Sequence, residues 1–209
     1  MITSMDKIEC KSSLIQQPVV LEERELKAVA VDIYSRLLMD RIIILGTEID
    51  ESTANTIMAL LLYLNSMDNK KPNQMYINSP GGSVVAGLQI YDTMQMIKAP
   101  VQTICTGMAA SMAAVILAGG RKGMRGALPN SSIMIHQPMG GAVGQASDIA
   151  IANERIQYYK SRLYSILAEH TGQTIEQIVK DADRDCWFTA FDAKKYGIID
   201  KEFDEKNIL

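Results

Sequence analysis

The chain has 209 residues, enough for one domain with a sizeable core, and its 47% hydrophobic and 22% charged residues are those of an ordinary globular protein. A net charge of −3 without a basic stripe gives no footprint for nucleic acid, and no Gly-x4-Gly-Lys-Ser/Thr loop is present to hydrolyse ATP. Cys10, Cys105 and Cys186 are odd in number, far apart and in no metal-ligand spacing, and there are two histidines; a reducing cytosol fits better than a disulfide framework, and no metal is expected.

Residues 1–14 mix charges with Ser and Thr and read as a tail; Asp6, Lys7 and Glu9 stand where a secretion signal would need apolar residues, so a cytoplasmic protein is expected. Gln17 to Leu21 begins a short extended segment, and Glu22 to Lys27 is polar. Arg41-Ile42-Ile43-Ile44-Leu45-Gly46 is a continuous apolar run ended by glycine, which predicts a buried strand. Asp50 or Ser52 can cap the next helix, whose Ile57, Leu60, Leu61 and Leu64 share a face. After a polar turn over 69–73 come a strand at 75–78, a turn at Ser79-Pro80-Gly81-Gly82 and a helix over about 86–97. The unit then repeats as strand 101–106, turn 107–111 and helix 112–119, and a further strand runs from Ser132 to His136. Residues 102–120 are uncharged, but Gln102, Thr103, Thr106, Gly107 and Ser111 break the run, so it reads as a buried strand, turn and helix rather than a membrane span. Repeated strand–turn–helix units predict an α/β fold with a mainly parallel sheet.

A long helix follows over about 147–170. Ile149, Ile156 and Leu163 fall seven apart, with Ala152, Tyr159 and Ile166 three residues on, the narrow seam of a helix that packs on another helix and thus a candidate subunit contact. Thr174-Ile175-Glu176-Gln177 has the pattern of a capping box.

Three sites place donor or reactive groups at the downstream ends of predicted strands, where open parallel sheets bind ligands: Gly81-Gly82, Ser111 and His136. Ser111 lies in Thr106-Gly107-Met108-Ala109-Ala110-Ser111-Met112-Ala113-Ala114, with Ala109 and Ala113 where a nucleophile turn needs small residues. A serine hydroxyl needs a base, and the base a carboxylate. His136, at a strand end, is favoured over His170, whose place at a helix C-terminus suits it to the last carbonyls and the helix dipole. Of Asp181, Asp183 and Asp185, the last is nearest to Trp187-Phe188 and is expected to be the buried one. Gly82 and the amide of Met112 can supply the two donors an oxyanion requires.

Six blocks in order, Asp32-Ile33-Tyr34-Ser35-Arg36-Leu37-Leu38, Tyr76-Ile77-Asn78-Ser79-Pro80-Gly81-Gly82, Ile90-Tyr91-Asp92-Thr93-Met94, Gly107-Met108-Ala109-Ala110-Ser111-Met112, Met134-Ile135-His136-Gln137-Pro138 and Asp183-Arg184-Asp185, resemble the ClpP family, the proteolytic subunits of ATP-dependent Clp protease. The likeness runs from Pro18 to about Phe203. It implies a crotonase-like α/β fold of repeated ββα units with a protruding strand–helix handle at about 137–170, within one peptidase domain over 32–203. It also implies an axial segment at 15–31, a pro-segment at 1–14 and a tail at 204–209. The implied activity is that of a serine endopeptidase without cofactor, with Ser111 as nucleophile, His136 as base, Asp185 as orienter and oxyanion donors at Gly82 and Met112. Gly81, Ser83 and Val84, with the Gly140-Gly141 strand, would hold an extended unfolded peptide by strand addition.

The likeness further implies two stacked seven-membered rings, interlocked through the long helix and contacting through Asp183 and Arg184. An AAA+ unfoldase such as ClpX would spend the ATP and dock at Tyr76, Ile104, Leu128 and Phe203; no nucleic-acid or membrane partner is implied. Gln74 and Gly126 depart from the aromatic residues that often complete that pocket, and residues 22–31 carry an apolar stretch where the axial loop usually turns polar, so docking and gating are expected to be tuned differently. A crotonase-type acyl-coenzyme A enzyme would leave Ser111, His136 and Asp185 without a joint use, a silent ring subunit would be expected to lack some of them, and neither Cys105 nor Cys186 sits in a turn suited to a cysteine peptidase.

Overall fold

The computed structural model describes residues 19–24 and 27–203; the expected tails at 1–14 and 204–209, with Cys10, lie outside the described residues. The chain divides into two compact units, one up to Asp40 and one from Arg41 onward. In the first, β1 (Val19–Arg24) and β2 (Lys27–Asp32) pair antiparallel, so the stretch 22–27 expected to be merely polar is largely strand. Helix α1 (Ile33–Met39) follows, capped by the Asp32 carboxylate, which accepts from the Ser35 N–H.

The second unit is a seven-stranded sheet with helices. Its strands are β3 (Ile42–Leu45), β4 (Asn73–Ser79), β5 (Val101–Ala110), β6 (Arg125–Ala127), β7 (Ser132–Ile135), β8 (Cys186–Thr189) and β9 (Lys201–Glu202). The helices are α2 (Glu51–Met67), α3 (Val84–Met96), α4 (Met112–Ala118), α5 (Ala146–Thr171), α6 (Ile175–Asp181) and α7 (Ala190–Tyr196). Spatial order is β3-β4-β5-β6-β9, all parallel, while β7 pairs parallel with β5 and antiparallel with β8.

Strand β5 carries the architecture. Its first half pairs with β6 at Thr103 to Cys105, and its second half pairs with β7 at Met108 to Ala110. It therefore extends four residues past the expected end at 106, because Met108, Ala109 and Ala110 find a second partner strand. At the crossover, β4 shifts register between Ile77 and Ser79, and Asn78 Oδ1 accepts from the Met108 N–H at 3.1 Å. Gly107 is needed there, since a Cβ would lie 2.6 Å from that oxygen.

Alternation divides the sheet. Ile43, Met75, Ile77, Thr103, Cys105 and Ala127 are buried, whereas Ile44 pairs with Tyr76, Tyr76 with Ile104 and Ile104 with Gly126 in one row on the other face. Strand β3 is consequently not buried throughout as its apolar run suggested: it is an edge strand, and Ile44 is 45% exposed.

Helix α5 is long as expected, but only its C-terminal half, with Leu163, Tyr164, Ile166 and Leu167, is buried in the chain. Ile149 and Ile151 are exposed. No strand forms at Gly140-Gly141, which pairs with no strand among the described residues. His170 does not serve the last helical carbonyls; its Nε2 lies 2.8 Å from the Tyr91 hydroxyl. Asp50 caps α2, and Thr174 caps α6 by accepting from Gln177 N–H. The capping box is left half made, since the Gln177 side chain turns to Asp181 at 2.7 Å.

Candidate active site

The register of three strands brings the reactive groups together. Ala110 pairs with Met134 across β5 and β7, and Ser111, the next residue, donates its N–H to Met134 O at 2.9 Å. Ile135 pairs with Cys186 across β7 and β8, so one step beyond, His136 and Asp185 come face to face. Strand ends thus deliver all three residues, and short connections hold them there.

Ser111 is the single residue between β5 and α4, with φ 55° and ψ −122°. This is a left-handed backbone that a serine adopts at a cost of about 1–3 kcal/mol. The surroundings enforce it: Ala109, Ala110, Met112, Ala113 and Ala114 are all buried, and the turn has no room to open. Gly87 admits the Met112 side chain where any Cβ would collide with it, which seats α4 on α3.

His136 Nε2 stands 2.8 Å from Ser111 Oγ, and His136 Nδ1 stands 2.9 Å from Asp185 Oδ1. A carboxylate only accepts, so in the neutral imidazole Nδ1 carries the hydrogen and Nε2 presents its lone pair to the serine hydroxyl. The His136 side chain is 12% exposed, but that of Asp185 is 59% exposed. The aspartate that pairs is the expected one, and the expected reason is wrong. Strand β8 alternates as an edge strand, so closeness in sequence to Trp187, itself 54% exposed, buries nothing. Asp181 is the half-buried carboxylate instead; it accepts from Tyr196 OH at 2.8 Å and from Gln177 Nε2, and burial together with that carboxylate pushes the Tyr196 phenol well up.

Gly81 and Gly82 lie against this turn. A Cβ on Gly81 would be 2.8 Å from Ser111 Cβ and 3.0 Å from Met112 N. Gly82 is bridged to Ile49, which donates its N–H to Gly81 O and accepts from Ser83 N–H, each at 2.8 Å. Met112 is the first helical residue of α4, whose N–H has no acceptor within its own helix. Ser83 caps α3 by accepting from Ala86 N–H, and Val84 begins that helix.

An apolar slot opens beside Ser111, walled by Val84, Val115, Pro138, Leu163 and Leu167, with a volume of about 20 Å³. It holds little more than one water, so an entering side chain must widen it. Four of these wall residues carried no expected role at the site, and Leu163, expected in a subunit seam, is buried within the chain. Val115 is one helical turn from Ser111 and Pro138 two residues from His136, and that spacing could have found them. Leu163 and Leu167 had no such signal. Gly140 packs on Ile156 of α5, whereas Gly141 faces open space. Arg184 and Asp183 are both exposed, their nearest charged atoms 3.9 Å apart.

Of the expected docking residues, Tyr76 and Ile104 lie in the sheet row described above, Leu128 follows β6 and Phe203 follows β9. Tyr76 and Leu128 are half-buried, but Ile104 is 4% and Phe203 is 8% exposed. The Phe203 ring occupies the space a Gly126 side chain would need, with Lys201 Nζ 4.7 Å from its centre. Tyr76 OH donates to Gln74 Oε1 at 3.2 Å. The Gly126 departure thus makes room for a ring from elsewhere in the chain.

Burial raises the pKa of both Cys105 and Cys186, away from the thiolate a cysteine peptidase needs. Among the described residues, no group of three or more His, Cys, Asp or Glu is placed to hold a metal ion. No described helix is long and apolar enough to cross a membrane.

Residues 24–206 match the family model described as Clp protease. A protein of Bacteroides fragilis named ATP-dependent Clp protease proteolytic subunit is 59% identical over 189 residues, covering 90% of this chain and 91% of its own. Proteins of the same name from Bacteroides thetaiotaomicron and Porphyromonas gingivalis are 58% and 56% identical, covering 90% and 97% of this chain and 86% and 90% of their own. The α/β architecture and mostly parallel sheet are the crotonase-like fold of that family. A match this extensive, carried on a serine turn with a histidine at hydrogen-bond distance, means that the chain belongs to the Clp protease family and is a serine peptidase.

Proposed function

We propose that the protein is a self-compartmentalised endopeptidase in which Ser111, His136 and Asp185 form the catalytic triad. The observation that carries this reading is the unbroken chain from Ser111 Oγ to His136 Nε2 at 2.8 Å and from His136 Nδ1 to Asp185 Oδ1 at 2.9 Å. Ser111 Oγ attacks the peptide carbonyl as His136 takes its proton, and Asp185 stabilises the resulting imidazolium. The N–H groups of Gly82 and Met112 receive the oxyanion. His136 then protonates the leaving amine, the acyl-enzyme forms on Ser111, and water activated by the same base releases the acid.

The extended substrate lies along Gly81, Ser83 and Val84 on one side and Gly140-Gly141 on the other. The missing ladder at Gly140-Gly141 supports this, because a peptide can supply the strand that the chain does not. The exposed apolar N-terminal half of α5 and the exposed Asp183-Arg184 support contacts between two stacked heptameric rings. An AAA+ unfoldase such as ClpX, which itself spends the ATP, delivers unfolded protein in the cytoplasm and docks near Tyr76, Ile104, Leu128 and Phe203. The protein itself works without a cofactor or metal.

The test is cleavage of a fluorogenic peptide and of an unfolded protein by the native assembly and by Ser111→Ala. The variant is expected to assemble normally and cleave neither. Retained cleavage would remove Ser111 from the mechanism.

A further inference from the structure

Gln137, the residue after the proposed base, uses both ends of its side-chain amide. Its Nε2 donates to the main-chain carbonyl of Asp183 at 2.8 Å and reaches that residue's carboxylate only at 3.5 Å. Its Oε1 accepts from Lys160 Nζ on α5 at 2.9 Å. The first bond joins the position after His136 to the position two before Asp185, so one side chain spans the two strand ends that carry the base and its orienter. A second tie comes from the same turn of α5: Tyr164, 3% exposed, donates its hydroxyl to Ala182 O at 3.4 Å, with Lys160 Nζ 5.6 Å from its ring centre. The Asp185 side chain, 59% exposed, has little packing of its own to fix it. Its place is set through the backbone of residues 182–184, and that backbone is held by Gln137 and Tyr164.

We infer that Gln137 is a positioning residue, which holds the Asp183 main chain at a fixed distance from His136 and thereby sets the His136–Asp185 bond, with Lys160 fixing the amide's orientation. This rests on the triad reading above. Neutrality at position 137 matters: a glutamate would keep the acceptor for Lys160, lose the donor to Asp183 O, and face the Asp183 carboxylate with a like charge.

The test uses the full-length assembly with Gln137→Met, Gln137→Glu, Lys160→Met and the double variant Gln137→Met/Lys160→Met. Readouts are kcat and KM on a fluorogenic peptide, the rate of fluorophosphonate labelling of Ser111, Tm and assembly size. Gln137→Met is expected to lower kcat by about 10–100-fold at nearly unchanged KM, and to slow labelling in proportion, with Tm and assembly close to the parent. Gln137→Glu should match Gln137→Met despite its better shape. Lys160→Met should lose less, and the double variant no more than Gln137→Met alone, because both act through one bond. Parental turnover and labelling in Gln137→Met, or losses that merely follow Tm or disassembly, would overturn the inference. A parent protein that fails to label at Ser111 would instead defeat the triad reading itself.

Discussion

Gly81 and Ser111 are packed so closely that a Cβ on the glycine would lie 2.8 Å from the serine Cβ and 2.6 Å from Ala110 O. Gly81 also has φ 92°, where a side chain is strained whatever the space. The turn that presents the hydroxyl and the loop that flanks it are therefore one packing unit. Gly81→Ala should push the serine turn aside and lower kcat/KM by about 100-fold or more. Gly123→Ala is the control: its φ is 86° but a Cβ there meets nothing within 4 Å, so it should cost stability and spare turnover. Peptide kinetics beside thermal melts of both variants checks the contrast.

Asp185 and Asp181 should separate cleanly. Asp185→Asn keeps the shape but lets the histidine take the wrong tautomer, and kcat is expected to fall by about 10²–10⁴-fold. Asp181, not the carboxylate expected to be buried, is the half-buried one, accepting from both Tyr196 OH and Gln177. Asp181→Ala should lower stability by about 1–3 kcal/mol by leaving the Tyr196 hydroxyl without its partner. Denaturant melts and steady-state kinetics on the two variants decide the assignment.

Much of this was legible in the sequence, and the failures have a common cause. Strand ends bearing Gly81-Gly82, Ser111 and His136 were visible because apolar runs stop there against glycine or a polar group. Helix α2 follows from its apolar face and the Asp50 cap, and α5 from its seven-residue spacing. Strand β8 was not visible: four residues with alternating burial between a charged turn and a short helix give no period to read. Without its antiparallel pairing to β7, the reason that Asp185 reaches His136 could not be seen, and burial was invoked in its place. The extension of β5 to Ala110 was hidden likewise, because its partner for residues 108–110 is a strand over twenty positions on. Gln137 and its partners are long-range side-chain contacts, for which one sequence holds no signal.

His170 should give the fold an acid-sensitive joint. Burial lowers its pKa, with Arg125 nearby acting in the same direction and Glu169 opposing. A histidine whose folded pKa is depressed contributes fully above its unfolded value of about 6.5, and that contribution is lost as pH falls below it. The Tm should therefore drop between about pH 7 and pH 5.5, and the drop should shrink in His170→Gln, which keeps a hydrogen-bonding side chain for Tyr91. An equal drop in both proteins would assign the acid sensitivity elsewhere.

Arg125 is 4% exposed and its guanidinium is engaged by Asp200, with Nη2 donating to Oδ1 at 2.7 Å and Nε to Oδ2 at 2.9 Å, and by His170 O and Ala118 O. Asp200 Oδ2 also accepts the N–H groups of Gly123 and Arg125. Burial alone would raise the Asp200 carboxyl, but the bonds from Arg125 outweigh it and hold the pKa below the usual value. Asp200→Ala strands a buried cation and should destabilise by about 3–5 kcal/mol, measured by chemical denaturation. Arg125→Met/Asp200→Leu should recover much of that loss.

The most direct measurement is intact-mass analysis of the native protein after fluorophosphonate treatment, with peptide mapping of the adduct. One adduct per subunit on Ser111, absent in Ser111→Ala and strongly slowed in His136→Ala, is the predicted result. A serine that stays unlabelled with an unfoldase present, or an adduct at another residue, would contradict it.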